Sequence, residues 1–403
     1  MTHPINLFDP AVRRDPYPTY AALRDAPVQQ VGPIGAWAVT RYADVQYVLR
    51  HPELFTSTAF EAILRPAWLP HSPVADSILA KDGPEHSKLR ALVTKAFTPK
   101  SIAALGPRVT QLATEFAEAM RGRERLDFIS AFATPFPASV IAEILGLDPA
   151  LHQRFETWSD HITSITPLEP PQAFADAIRS TIAEMERYLC DVIAARRADP
   201  QDDIVTTLLH AEIDGDTLSD ADILGMMFIL LPAGFETTRH LLANAMLAFI
   251  ERPSDYAALR SDPSLIPGFI EELLRHDTSV QSVVRVTTRA VEIGGTRIEA
   301  GAMVMMLIGA SGRDPSEFED PERFDLRREG TTSLAFGHGV HFCLGAALAR
   351  LEARVGIEAL IARFAGFELD ATELQWNLSP TVRGPVRLPI RATGLLGSTS
   401  APD

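Results

Sequence analysis

Phe336-Gly-His-Gly-Val-His-Phe-Cys-Leu-Gly345 is the stretch on which the reading of this chain turns. It brings a lone cysteine, Cys343, through a glycine-interrupted loop to the start of an amphipathic helix that the spacing predicts over about Leu344–Phe364. Glycine lets the backbone fold back so that amide N–H groups can point at the sulfur. The helix N-terminus adds positive partial charge, and both features favour thiolate over thiol. Free cysteine is also often a small buried hydrophobe, and the loop alone does not decide between these roles. A zinc site built from His338, His341 and Cys343 would need a fourth ligand, and Cys190 lies in a different predicted helix.

The rest of the chain narrows the choice. It has 403 residues, with 37 basic and 52 acidic side chains and a net charge of −15. That balance argues against a nucleic-acid binder, which needs clustered positive charge to displace counterions. Apolar residues at 46% and charged residues at 22% are ordinary globular values. Two cysteines in such a length exclude a disulfide framework and point to a reducing compartment. No signal peptide is visible at the N-terminus. The longest nearly unbroken apolar stretch, Ile223–Phe235, falls short of the ~20 residues that span a bilayer and reads as a buried helix. A soluble, cytoplasmic protein is expected.

Strand-like pieces at Pro27–Val31 and Ala36–Thr40 precede a helix over Tyr42–Arg50. Residues 57–82 read as a long loop with one helical turn. Helical periodicity then dominates, with long helices over Gln172–Arg197 and from about Ser219 to Glu251, and a shorter one at Pro267–His276. Strand signals return at Val286–Ile293, Arg297–Glu299 and Val304–Ile308, with a hairpin at Gly294-Gly295. No repeat or linker divides the chain. The expectation is one domain over 1–403, mainly α with small peripheral β-sheets (α+β), and a frayed tail at 395–403.

The 336–345 stretch resembles the cysteine-ligand signature of the cytochrome P-450 superfamily, the haem-thiolate monooxygenases, without departure. Other motifs of that family follow in the expected order: Glu85-His-Ser-Lys-Leu-Arg90, Ala233-Gly-Phe-Glu-Thr-Thr238, Glu272-Leu-Leu-Arg275 and Pro321-Glu-Arg-Phe324. The resemblance implies the fold, with haem b between the long central helix and the Cys343 loop and helix. It implies Cys343 as axial ligand, in the company of Phe336 and Gly345. A thiolate in that position pushes electron density to the iron and favours O–O cleavage. His86, Arg90, Arg285 and His341 match the partners of the haem propionates, which as buried carboxylates need cationic or N–H donors. Arg323 matches the arginine that completes a buried cluster with Glu272 and Arg275.

On the central helix, Ala233-Gly234 preceded by Pro232 is odd by plain helix rules. Gly costs ~1 kcal/mol there, and proline removes the N–H that would bond the Phe228 carbonyl. A local distortion that opens room for a small ligand is expected. The resemblance places O2 in that opening, Thr237 in the hydrogen-bond network beside it, and Glu236 as the acid relaying protons from solvent.

The segments that bound the substrate in such enzymes here carry Phe60, Ile63, Leu64, Trp68, Leu79, Ile165, Leu168, Phe174, Leu230, Val280, Val283, Val284, Leu378 and Val382. They imply an apolar pocket and a lipophilic small-molecule substrate. No flavin or iron–sulfur domain fits in the chain, so NAD(P)H electrons must arrive through separate partners, a ferredoxin and its reductase. Arg90, Lys95, Lys100, Arg108, Arg350 and Arg354 offer a basic docking patch. A monomer without nucleic-acid or membrane partners is expected. The Glu236-Thr237 pair favours O2-dependent monooxygenation over peroxide use, C–C coupling or rearrangement, and over a non-catalytic haem sensor.

Overall fold

In the computed structural model, residues 5–32, 35–213, 215–330, 332–377, 379 and 381–395 are described. Of the tail expected at 395–403, Leu395 instead ends a strand, and the remaining residues lie outside the described ones, as does the pocket candidate Leu378. The body is helical, organised around one long helix, Asp220–Glu251, referred to below as the central helix. Ser219 starts it with a reciprocal cap: its hydroxyl accepts from the Asp222 amide while the Asp222 carboxylate accepts from the Ser219 amide. From Ile223 to Phe249 most of its side chains are buried, so it runs through the core as the apolar 223–235 stretch predicts. By length and composition it is the one helix among the described residues that could cross a membrane.

Its neighbours are helices on several sides: Pro135–Ile144, His152–Thr163, Gln172–Ala198, Ile266–His276 and Ala346–Ile361, the last referred to as the ligand helix. Phe128, Phe132, Phe136, Phe155, Phe228, Phe235 and Phe269 fill the spaces between them.

Beside this body lies a five-stranded sheet in the order Val28–Val31, Ala36–Val39, Met303–Leu307, Ser282–Thr287, Phe55–Thr56. The single parallel pairing joins Ala36–Val39 to Met303–Leu307. A second sheet joins Phe364–Leu369, Pro389–Leu395 and Arg125–Asp127. The helix at Tyr42–Arg50 and the hairpin across Gly294-Gly295 form as expected.

Three boundaries differ. The strand read as Val286–Ile293 begins at Ser282 and is interrupted after Thr287. There Thr288 turns its amide and hydroxyl to the carbonyls of Leu54 and Glu53, which draws the chain off the ladder. The ligand helix ends at Ile361, because Phe364 already pairs in the second sheet. Residues 57–82 hold more order than one turn: a helix at Ala59–Leu64 and 3₁₀ turns at Pro73–Asp76 and Ile78–Ala80. Gly225 of the central helix explains that order, since a Cβ there would lie 3.2 Å from the backbone of Pro73 and Asp76.

Candidate active site

The Cys343 loop is closed by its own backbone. The Cys343 amide donates to the Phe336 carbonyl at 2.9 Å and the Gly337 amide to the Leu334 carbonyl at 2.8 Å. Gly337 and Gly339 adopt left-handed φ of 72° and 71°, which costs other residues energy. At Gly339 a Cβ would lie 2.6 Å from the Leu49 carbonyl, so the loop also needs glycine for close approach. Cys343 sits just ahead of the ligand helix, whose N-cap is Gly345. Burial pushes the thiol up, while the Gly345 amide and the charges of Arg90 and Arg350 pull it down. Cys343 is nonetheless accessible as a residue. Phe336 packs beneath the Arg350 guanidinium, 4.4 Å from the ring centroid.

The central helix carries the opposite stripe. Ala233 is exposed halfway along a buried helix, and Ile229, Leu230, Gly234 and Thr237 are half-buried. The Thr237 hydroxyl donates to the Ala233 carbonyl at 2.9 Å. The helix continues through Pro232 without a break. The room expected beside Gly234 is not what that glycine provides: a Cβ there would meet Ile141 Cδ1 at 2.8 Å. Gly234 permits close packing on Pro135–Ile144, and the exposed side of the stripe belongs to Ala233.

Glu236 points elsewhere. It is buried, and burial pushes its carboxyl up to about 7, with Arg239 lowering and Asp160 raising it. Arg239 is buried too and reaches Glu156 at 3.4 Å. Sequence reasoning gave Arg239 no role and overlooked Glu156 and Asp160, since no local pattern links positions about 80 residues apart.

The four expected propionate partners divide into two kinds. His86 Nε2 is buried without a hydrogen-bond partner among the described residues. Burial lowers the His86 pKa to about 4, with His341, Arg90 and Arg285 adding to the effect. Arg285 is buried, donates to the Val284 carbonyl at 2.7 Å, and pairs with no carboxylate within 4.0 Å among the described residues. Its pKa falls to about 10 because of burial. Arg90 also lacks such a carboxylate and senses the Cys343 sulfur. His341 is engaged: its Nε2 lies 3.1 Å from Asp82 Oδ1, and its ring centroid 4.1 Å from that of His86. Buried cations and an orphaned imidazole nitrogen are costly unless an anionic group joins them. This donor set fits the two carboxylates of a haem.

One expected partner is corrected. Glu272 binds Arg275 through two 2.8 Å bonds, and its second arginine is Arg328 at 3.2 Å. Arg323 contributes only its carbonyl, accepting from Arg275 and Arg328, while its exposed side chain pairs with Asp325. The chain turns after Phe324, so the segment's backbone faces the cluster and the arginine four residues beyond it enters.

Polar side chains of the 57–82 segment and several of the remaining candidates are structural or already paired. Arg65 pairs with Glu61 and Asp76, and His71 with Glu186. Trp68 donates to the Thr166 carbonyl and its own carbonyl accepts from Arg179, so the 57–82 segment is tied to the helix pair beyond it. Leu64 and Val382 are buried, whereas Leu168 is 78% exposed and Phe174 stands partly open. Of the proposed docking cations, Arg108, Arg350 and Arg354 already pair with Glu143, Glu271 and Glu358.

A sequence profile of the cytochrome P450 family matches residues 29–375. Cytochrome P450 107B1 of Saccharopolyspora erythraea is 39% identical over 400 residues, covering 95% of this chain and 96% of that protein. The erythromycin C-12 hydroxylase of the same organism is 39% identical over 362 residues, 89% of each chain. The solved structure of cytochrome P450 CYP109Q5 from Chondromyces apiculatus superposes with a TM-score of 0.90 at 38% identity, covering 98% of this chain and 99% of that one. The chain belongs to the cytochrome P450 family and has its fold. It is a haem-dependent monooxygenase that uses O2 and separate redox partners and acts on an organic small molecule.

Proposed function

We propose that this enzyme hydroxylates, or otherwise mono-oxygenates, a lipophilic small molecule, with haem b held through Cys343. His86, Arg90, Arg285 and His341 receive the propionates, Phe336 and Gly345 support the ligand loop, and Ala233 borders the O2 side where Gly234 lets the central helix pack closely on Pro135–Ile144. The observation that carries this reading is that Arg90 and Arg285 pair with no carboxylate among the described residues and stand with an orphaned His86 Nε2, beside a cysteine whose sulfur accepts from the Gly345 amide. The bound haem supplies oxygen activation, which the thiolate favours.

The protein's own part is proton handling and positioning. A buried Glu236 with a pKa of about 7 both gives and takes a proton near neutrality. Thr237, one residue on, is half-buried, with its hydroxyl anchored on the Ala233 carbonyl. That pair supports a route fed by solvent protons over peroxide use. The half-buried apolar residues Phe60, Ile63, Leu79, Leu230, Val280, Val283 and Val284 support a lipophilic substrate. NAD(P)H electrons reach the enzyme through a ferredoxin and a ferredoxin reductase. It works as a cytoplasmic monomer.

The first test is the absorption spectrum of the reduced, carbon-monoxide-bound protein. A strongly red-shifted Soret band is expected, and should be lost in Cys343→His. A wild-type band without that shift would refute the Cys343 assignment. Thr237→Ala should raise the share of electrons consumed without product. Unchanged coupling would remove Thr237 from the proton route.

A further inference from the structure

Asp82 stands at the N-cap position of the helix Gly83–Thr94, yet its side chain caps none of that helix's amides. Its two oxygens are used elsewhere. Oδ2 accepts from the Thr56 hydroxyl at 2.5 Å and from the Ser57 amide at 2.6 Å. Oδ1 accepts from His341 Nε2 at 3.1 Å, and Ser57 Oγ lies 3.2 Å from the same nitrogen. Burial works against the charge of Asp82, but the bonds from His341, Thr56 and the Ser57 amide outweigh it and bring the carboxyl down to about 2.

Two connections meet in this one carboxylate. Ser57 and Asp82 are the ends of the 57–82 segment, which carries Phe60, Ile63 and Leu79, so the bond between them closes that segment at its base. His341 belongs to the Cys343 loop, and its ring packs on His86, one helical turn beyond Asp82. The field of Asp82 also reaches Arg285. A carboxylate that accepts from one imidazole nitrogen fixes the ring and directs the other nitrogen to a further partner. Here Nε2 is taken, and Nδ1 shows no hydrogen bond among the described residues.

We propose that Asp82 is a positioning residue: it clamps both ends of the 57–82 segment to His341, and so holds the substrate-side wall and the propionate-binding imidazole in one register. This rests on the haem reading above. Asp82 is also a fixed negative charge beside the propionate donors, and a negative charge near the haem favours the ferric state.

Three measurements test the clamp on haem-loaded protein: haem transfer to apomyoglobin, the ferric/ferrous potential, and amide exchange over residues 57–82. Asp82→Asn should speed haem loss about tenfold, the equivalent of about 1.4 kcal/mol. It should also raise the potential and speed exchange in the segment. Thr56→Val keeps the charge and the His341 bond, so it should speed exchange with the potential unchanged. An Asp82→Asn protein with wild-type haem retention and potential would overturn the proposal, even if the segment loosens. The carbon-monoxide spectrum of the wild type separates the two readings. A wild type without the thiolate band overturns both; a normal wild type with an unaltered Asp82→Asn variant overturns the clamp alone.

Discussion

Glu272→Ala probes the cluster that joins the helix Ile266–His276 to the loop before the Cys343 segment. The Glu272 side chain is 1% exposed and that of Arg275 0%. Glu272 also accepts from the Asp325 amide at 2.8 Å and from Arg328. Its removal leaves two guanidinium groups and an amide facing each other with no anion. Arg275 keeps only the carbonyls of Gly312, Pro321 and Arg323. Removing one partner of a buried pair costs ~3–5 kcal/mol, against a total stability of ~5–15 kcal/mol. An exposed pair at the same spacing is worth only ~0.2–0.5 kcal/mol. With a urea slope of about 3 kcal/mol/M, the midpoint should fall by roughly 1–1.7 M. Circular dichroism at fixed haem loading reads it, since an unequal cofactor content would spoil a two-state comparison. Arg323→Ala is the control: its side chain is 64% exposed and pairs only with Asp325, so the cost should stay within ~0.5 kcal/mol. If Arg323→Ala proves as damaging as Glu272→Ala, the assignment of Arg328 to the cluster is wrong.

Two other perturbations have signed outcomes. The Glu236 carboxyl is raised from 4.5 to about 7 in the folded protein, so the native state holds the extra proton and stability falls as pH rises through this window. At 1.36 kcal/mol per unit, wild type should lose ~3 kcal/mol relative to Glu236→Gln between pH 4.5 and 7. Parallel urea curves for the two proteins across that window would contradict the burial argument. Gly234→Ala places a methyl 2.8 Å from Ile141 Cδ1 and should cost ~1–3 kcal/mol by overpacking. Ile141→Ala, which removes both Cδ1 and the Cγ1 at 2.9 Å, should recover part of that loss when Gly234→Ala is made in its background. No recovery would mean the glycine serves the helix backbone instead.

Much of the architecture was legible because its causes are local. The apolar run at Ile223–Phe235, the Ser219/Asp222 cap and the Gly294-Gly295 turn act within a few residues, and the elements they predict form. The ligand loop was legible for the same reason: the glycines that bend it and the amide that meets the sulfur lie between residues 336 and 345. Its motif also named the family and the haem before any coordinate was known.

What the tertiary structure alone decided is which distant groups share a charge. Arg328 replaces Arg323 because the turn after Phe324 presents backbone to Glu272. Gly234 faces Ile141 because two helices cross there. Asp82 stands at a helix N-cap position, yet it spends its oxygens on Thr56, Ser57 and His341. Glu236 owes its raised pKa to burial against helices from elsewhere in the chain. Hydrogen-bond and Coulomb partners are selected by distance in space over a few ångströms, and sequence spacing carries that information only within a turn or a helix.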